Sequence, residues 1–446
     1  MMINPKKHVL VLAVAAGMIL PGVAMATTNG YFTNGFGVKA KGMGGTGVAM
    51  SLDSMDAATN PANMVGVGSR IDAGITWFSP IRSYTVDQVG PFLGPETGAF
   101  SLLPGTYDSD NENFLIPSFG WNHMIDDVSS IGVTLAANGG MNTEYRNVTA
   151  PGAPSGTPGT FGAGPAGIDM MQLNTLVTYA RKVTDQVSLG ISGIFAFQRF
   201  KAIGLEAFGG LSTSPANLTG NGYDTATGFG AKFGITGEVA PGFSLGASYQ
   251  TKISMSEFDN YAGLFAEKGG FDIPSTFSLG AKFSPAKMHT LLFDYQRINY
   301  TDVASIANPL MPNLGACMAG VASNCLGGSN GAGFGWEDIN VYKIGYQYDA
   351  GKWQARAGFS TNDQAVPDTE TLFNILAPAV VKNAWSLGLT TNIGKNSSLD
   401  FSFTYAPLVK VKGGNPLAAI PGLGDTQTIE IEMKQYEAAV NYTWRY

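Results

Sequence analysis

The chain has 446 residues, of which 44% are apolar, 13% are charged and 59 are glycine, and 26 basic residues stand against 33 acidic ones for a net charge of −7. Charged residues make up about 25% of an average soluble domain, so this is not the coat of a soluble enzyme, while a disordered chain would carry far more charge. A mean hydropathy of +0.07 excludes a bundle of apolar spanning helices, and no clustered Lys/Arg stripe points to nucleic acid.

Along the chain, residues 1–26 read as a secretory signal. Lys6 and Lys7 form the positive start, Val9 to Leu20 the apolar run, and Ala24-Met25-Ala26 the cleavage site. The run is too short to span a bilayer as a helix. Residues 27–70 are rich in Gly, Ala, Asn and Met and lack alternation, so they are expected to form either a free arm or a plug inside a larger shell. Within them Gly42-Met43-Gly44-Gly45-Thr46-Gly47 matches a dinucleotide fingerprint, but no strand precedes it, and tight turning of a compact chain explains the glycines better. Asn60-Pro61-Ala62 reads by itself as an Asn-Pro turn.

From residue 71 the pattern changes to short segments with a period of two. In Phe243 to Met255, Phe243, Leu245, Ala247 and Tyr249 share one face and Ser244, Gly246, Ser248 and Gln250 the other. Fourteen such segments begin near 71, 113, 128, 169, 186, 222, 243, 274, 288, 338, 351, 382, 397 and 433. Short turns alternate with long connections, the sidedness of an outer-membrane barrel. The predicted fold is therefore all-β: a 14-stranded antiparallel transmembrane β-barrel over residues 71–446. Asn138-Gly139-Gly140 interrupts the third segment and is either a bulge in the wall or a loop tip. A break in the wall is tolerated only beside protein or a cavity, because lipid satisfies no backbone group.

Gly242-Phe243-Ser244-Leu245-Gly246 matches a nucleophile elbow but lies in an alternating strand, not at a strand-to-helix turn. His8, His123 and His289 are scattered, so no catalytic set, metal or cofactor is expected. Cys317 and Cys325 lie eight positions apart in a Gly/Asn-rich stretch, and in an exported chain a small loop disulfide is favoured over two free thiols. Tyr436, Ala438, Val440, Tyr442, Trp444 and Tyr446 alternate up to a terminal aromatic, which fits an interfacial girdle and a substrate of the outer-membrane insertion machinery.

Asn34-Gly35-Phe36-Gly37, Lys41 to Ala49, Asp53, Asp56-Ala57-Ala58 and Asn60-Pro61-Ala62 together resemble the plug, or hatch, of the FadL/TodX family of outer-membrane channels for hydrophobic compounds. The resemblance covers the layout of the mature chain and is specific in residues over 30–65. It implies a hatch at residues 27–70 seated inside the barrel, with Asn60, Pro61 and Ala62 as its signature. It also implies that Asn138, Gly139 and Gly140 form a kink opening sideways to the membrane. The loops after the fifth and seventh strands, with Phe208, Leu211, Leu264 and Phe265, would then be the outer capture groove; their ordinary alternative is self-packing.

The expected function is passive uptake of hydrophobic molecules, with long-chain fatty acids foremost, across the outer membrane of a Gram-negative bacterium. Each CH₂ left in water forfeits about 0.8 kcal/mol of burial, so an acyl chain of about sixteen carbons forfeits roughly 13 kcal/mol and avoids an aqueous pore. Cargo would be caught by the loops, held in a pocket lined partly by Tyr31, Phe32 and Phe36, and released sideways. The expected surroundings are outer-membrane lipid and lipopolysaccharide, around a monomer. The alternatives are a channel for aromatic or alkane hydrocarbons, an exporter of lipids and, from another class, an outer-membrane lipid hydrolase.

Overall fold

The protein is described from a computed structural model over residues 29–88, 100–146, 148, 159–418 and 427–446, so the expected signal and the tips of three long connections lie outside the described residues. The strands are β1 (Arg70–Asp87), β2 (Gly105–Asp108), β3 (Phe114–Met124), β4 (Ser129–Tyr145), β5 (Ala166–Lys182), β6 (Val187–Ile203), β7 (Asp224–Ala240), β8 (Phe243–Gln250), β9 (Ser254–Met255), β10 (Thr276–Ala286), β11 (His289–Ile298), β12 (Ile339–Asp349), β13 (Trp353–Asn362), β14 (Asn383–Asn392), β15 (Ser397–Gly414) and β16 (Thr428–Arg445). β2 and β9 are short additions; the other fourteen form an antiparallel ring in chain order. β16 closes it on β1, from Arg70 opposite Arg445 to Asp87 opposite Thr428.

Alternation fixes which face meets lipid. Val177, Phe195, Phe229, Phe293, Leu387 and Phe403 point out and are exposed, while Gln172, Thr178, Ser192, Asp294, Asp400 and Thr443 point in and are buried. No described helix is long and apolar enough to cross a membrane, so the crossing belongs to the strands. At the turn side of the barrel Trp121 donates to the Tyr446 hydroxyl at 2.7 Å and His123 stacks on both rings, a patch of aromatic girdle closed by the last residue.

Residues 29–66 run inside the ring and are buried almost throughout. Their polar backbone needs partners away from water, and the wall supplies them. Asp294 on β11 accepts from the amides of Gly47 and Val48 at 2.7 and 3.0 Å. Ser386 on β14 accepts from Gly44 at 2.7 Å. Lys343 on β12 donates to the Asn34 carbonyl at 2.7 Å, and Lys41 pairs with Glu437 at 3.0 Å. Where the hatch backbone lies directly on the wall, the wall residue is glycine: a Cβ on Gly345 or Gly358, which face each other across β12 and β13, would overlap Met43 to Thr46. The glycines of the Gly42–Gly47 stretch therefore serve close packing.

Candidate functional site

Between β3 and β4 the ladder is cut short on the loop side. They pair from Phe119–Leu135 down to Met124–Ser130. Beyond that level the β3 residues Phe114 to Ser118 remain bonded to β1 alone, and the upper half of β4 is bonded to β5. The change falls at a β-bulge. Ala137 faces Leu173 and Gly139 faces Gln172, so Asn138 is the extra residue. Its side chain donates to Gln172 at 2.9 Å. Of the two readings of the Asn-Gly-Gly stretch, the bulge within the wall is the one observed.

The tip of the hatch takes the bonds that β3 leaves free. Gly140 donates to the Tyr31 carbonyl at 3.2 Å, Thr33 donates to the Asn138 carbonyl at 3.1 Å, and Phe32 bridges Gly139 in antiparallel fashion. Further up, Asp110 donates to Glu144 at 2.8 Å and bounds the gap from above. The result is a window in the wall, framed by backbone that the hatch satisfies from within.

Two pockets lie behind this window. One is lined by Tyr31, Phe78, Arg82, Phe114 and Met141. The other is lined by Phe36, Met55, Ile116 and Ala137. A third, on the far side of the hatch tip, touches Phe32, Phe36, Lys232 and Lys343. Tyr31, Phe32 and Phe36 thus border three separate spaces around the hatch tip, not one shared pocket.

Tyr31 is held from above. The Tyr300 hydroxyl donates to the Asn29 carbonyl at 2.5 Å and accepts from the Tyr31 amide at 3.2 Å. The Tyr31 ring meets Trp336 at 5.9 Å and Phe271 at 6.3 Å, and Phe271 meets Phe265 at 4.8 Å. Phe208 packs on Phe161 and Phe373. Phe208, Leu211, Leu264 and Phe265 are all buried in this loop cap. Cys317 and Cys325 are joined by a disulfide within the cap. Glu370 accepts from the Leu310 amide at 2.9 Å, and burial pushes its carboxyl up to about 7.

Asn60 caps the short helical turn Pro61–Gly66, accepting from Ala62 at 3.1 Å, with Pro61 at the first position. Its amide donates to the Val48 carbonyl at 2.7 Å and to the Ile235 carbonyl of β7 at 3.0 Å. Asn60 thus clamps two hatch segments to the wall. Arg82, Asp294 and Tyr300 carry as much of the arrangement and were not singled out by sequence, where each sits in an unremarkable alternating or polar stretch.

Among the described residues no group of His, Cys, Asp and Glu is placed to hold a metal. No curated protein matches the chain. The Pseudomonas putida toluene transporter TodX is 16% identical in structure-based alignment, with 94% of this chain and all of that chain covered and a TM-score of 0.64. A Pseudomonas aeruginosa FadL homologue is 16% identical over 95% and 99% of the two chains, with a TM-score of 0.62. The Ralstonia pickettii toluene transporter TbuX is 17% identical over 93% and 99%, with a TM-score of 0.58. At these identities the likeness speaks for the fold. Residues 23–446 match the family described as outer membrane protein transport protein (OMPP1/FadL/TodX), and with nearly the whole chain inside that match the protein belongs to this family, whose members are transport channels and not enzymes.

Proposed function

We propose that the chain is a passive channel that takes long-chain fatty acids from the loop cap, holds them beside the hatch tip and releases them sideways through the β3–β4 window. The observation that carries the reading is the window itself. Its frame bonds to Tyr31–Thr33, a short segment that exchanges three backbone contacts for water or for a different register more readily than a full ladder would. Apolar side chains line the route on both sides: Phe265, Phe271 and Trp336 above Tyr31, and Phe78, Phe114 and Met141 at the window. Cargo that stays on this path never meets bulk water, which its burial energy requires. No energy source is needed when consumption inside the cell drains the pool.

Solved relatives include toluene transporters, which supports monoaromatic hydrocarbons as the second reading. Uptake of labelled oleate and toluene by cells with and without the gene tests both. Gene-dependent oleate uptake supports the first; gene-dependent toluene uptake alone replaces it by the second; no gene dependence for either overturns the channel reading.

A further inference from the structure

The first window pocket holds a cation that no acidic side chain contacts directly. Arg82 of β1 points inward and is 3% exposed. Its terminal nitrogens donate to the backbone carbonyls of Asn142, just beyond the bulge, and Asn111. Its Nε–H has no partner. Among the described residues no carboxylate lies within ion-pair distance of it, Glu112 included. The contrast with Arg70 is direct: that buried guanidinium grips Asp72 through two nitrogens at 2.7 Å. Two carbonyl dipoles and the Phe114 ring, 5.9 Å from the guanidinium carbon, are weak compensation for a buried full charge. A guanidinium offers five donors in a fork that fits a carboxylate bidentately, and here the fork borders a pocket otherwise lined by Tyr31, Phe78, Phe114 and Met141.

We propose that Arg82 is a head-group receptor that selects carboxylate-bearing amphiphiles at the window, with the alkyl tail lying against Tyr31, Phe78, Phe114 and Met141. The proposal rests on the channel reading and narrows its cargo to anions. It also links binding to the gap. Donors turned to a carboxylate leave the Asn142 carbonyl, so the β4 edge loosens at the level where Tyr31 is bonded.

The test is binding of oleate and methyl oleate to the purified full-length protein, to Arg82→Gln and to Arg82→Lys. A charge-assisted pair predicts that the unaltered protein prefers oleate by about ten-fold or more. R82Q brings the ratio to about one, and R82K retains most of it. Equal affinities in the unaltered protein, or a preference that survives in R82Q, overturn the proposal. Should R82Q not assemble, oleate carrying a photoreactive group beside its carboxylate decides on the unaltered protein: labelling at residues 82, 111 or 142 supports the site, and labelling elsewhere overturns it. Binding of neither ligand by the unaltered protein instead overturns the channel reading beneath it.

Discussion

Gly139 stands so close to Tyr31 that a Cβ on the glycine would overlap the tyrosine carbonyl oxygen. The hatch tip can therefore lie in the β4 edge only while residue 139 has no side chain. This contact joins wall and hatch at the place where the β3–β4 ladder ends.

Gly139→Val should expel Tyr31–Thr33 from the β4 edge and leave the ring intact, because the side chain enters space held by the hatch and not by β5. The backbone bonds lost are worth about 1 kcal/mol each. The expected outcome is a barrel that still shifts on heating in electrophoresis, with new protease cleavage near residues 30–36. An N-terminal segment as protected as in the unaltered protein would show that the contact does not hold it.

The lower hatch should behave differently. Gly358→Ala sets a methyl group against the backbone of Met43 and Gly44, where neither side has a flexible end to move. Overpacking of this kind costs about 1–3 kcal/mol. Unseating of residues 42–47, which Asp294 and Ser386 otherwise anchor, should appear as raised ion conductance in planar bilayers. Conductance equal to that of the unaltered protein would mean that the wall yields instead.

Glu370 gives the loop cap a pH dependence of defined sign. Its carboxyl takes up a proton near 7 when folded, against an ordinary 4.5, so the folded cap binds more protons than the unfolded one between these values. Cap stability therefore falls as pH rises from about 4.5 to 7 and is level above. Hydrogen exchange at the Leu310 amide, corrected for its intrinsic rate, should show protection declining over that window. Glu370→Gln should abolish the decline. An unchanged slope in the variant would assign it to another group.

The strands were legible because lipid and lumen impose opposite chemistry on alternate residues, and the observed starts fall within a few positions of those expected. The largest difference, β16 beginning at Thr428 and not near 433, has a physical cause. Over Ile429, Ile431 and Met433 the apolar side chains face inward to the loop core, while Glu430, Glu432 and Lys434 face outward. Above the membrane the code inverts, since the outside is water. Lower down, Tyr442 and Trp444 on that same outward face meet lipid. The Asn-Gly-Gly break was visible, but its meaning was not: that depends on the β3–β4 ladder stopping at Phe119 and on residues a hundred positions upstream filling the edge. Arg82 was invisible for a related reason. What makes it unusual is that its guanidinium bonds backbone carbonyls of β4 and the 109–112 segment while no carboxylate there comes within ion-pair distance, and sequence order does not reveal that arrangement.

The most direct test of sideways release is deletion of Asn138, the single extra residue of the bulge. Without it β4 regains an unbroken register with β5, and the edge that the hatch tip occupies loses its bend. The account predicts a heat-modifiable barrel at normal abundance whose cells take up labelled oleate no faster than cells lacking the gene. Oleate uptake at the rate of the unaltered protein, through a wall shown to be straightened, would contradict it.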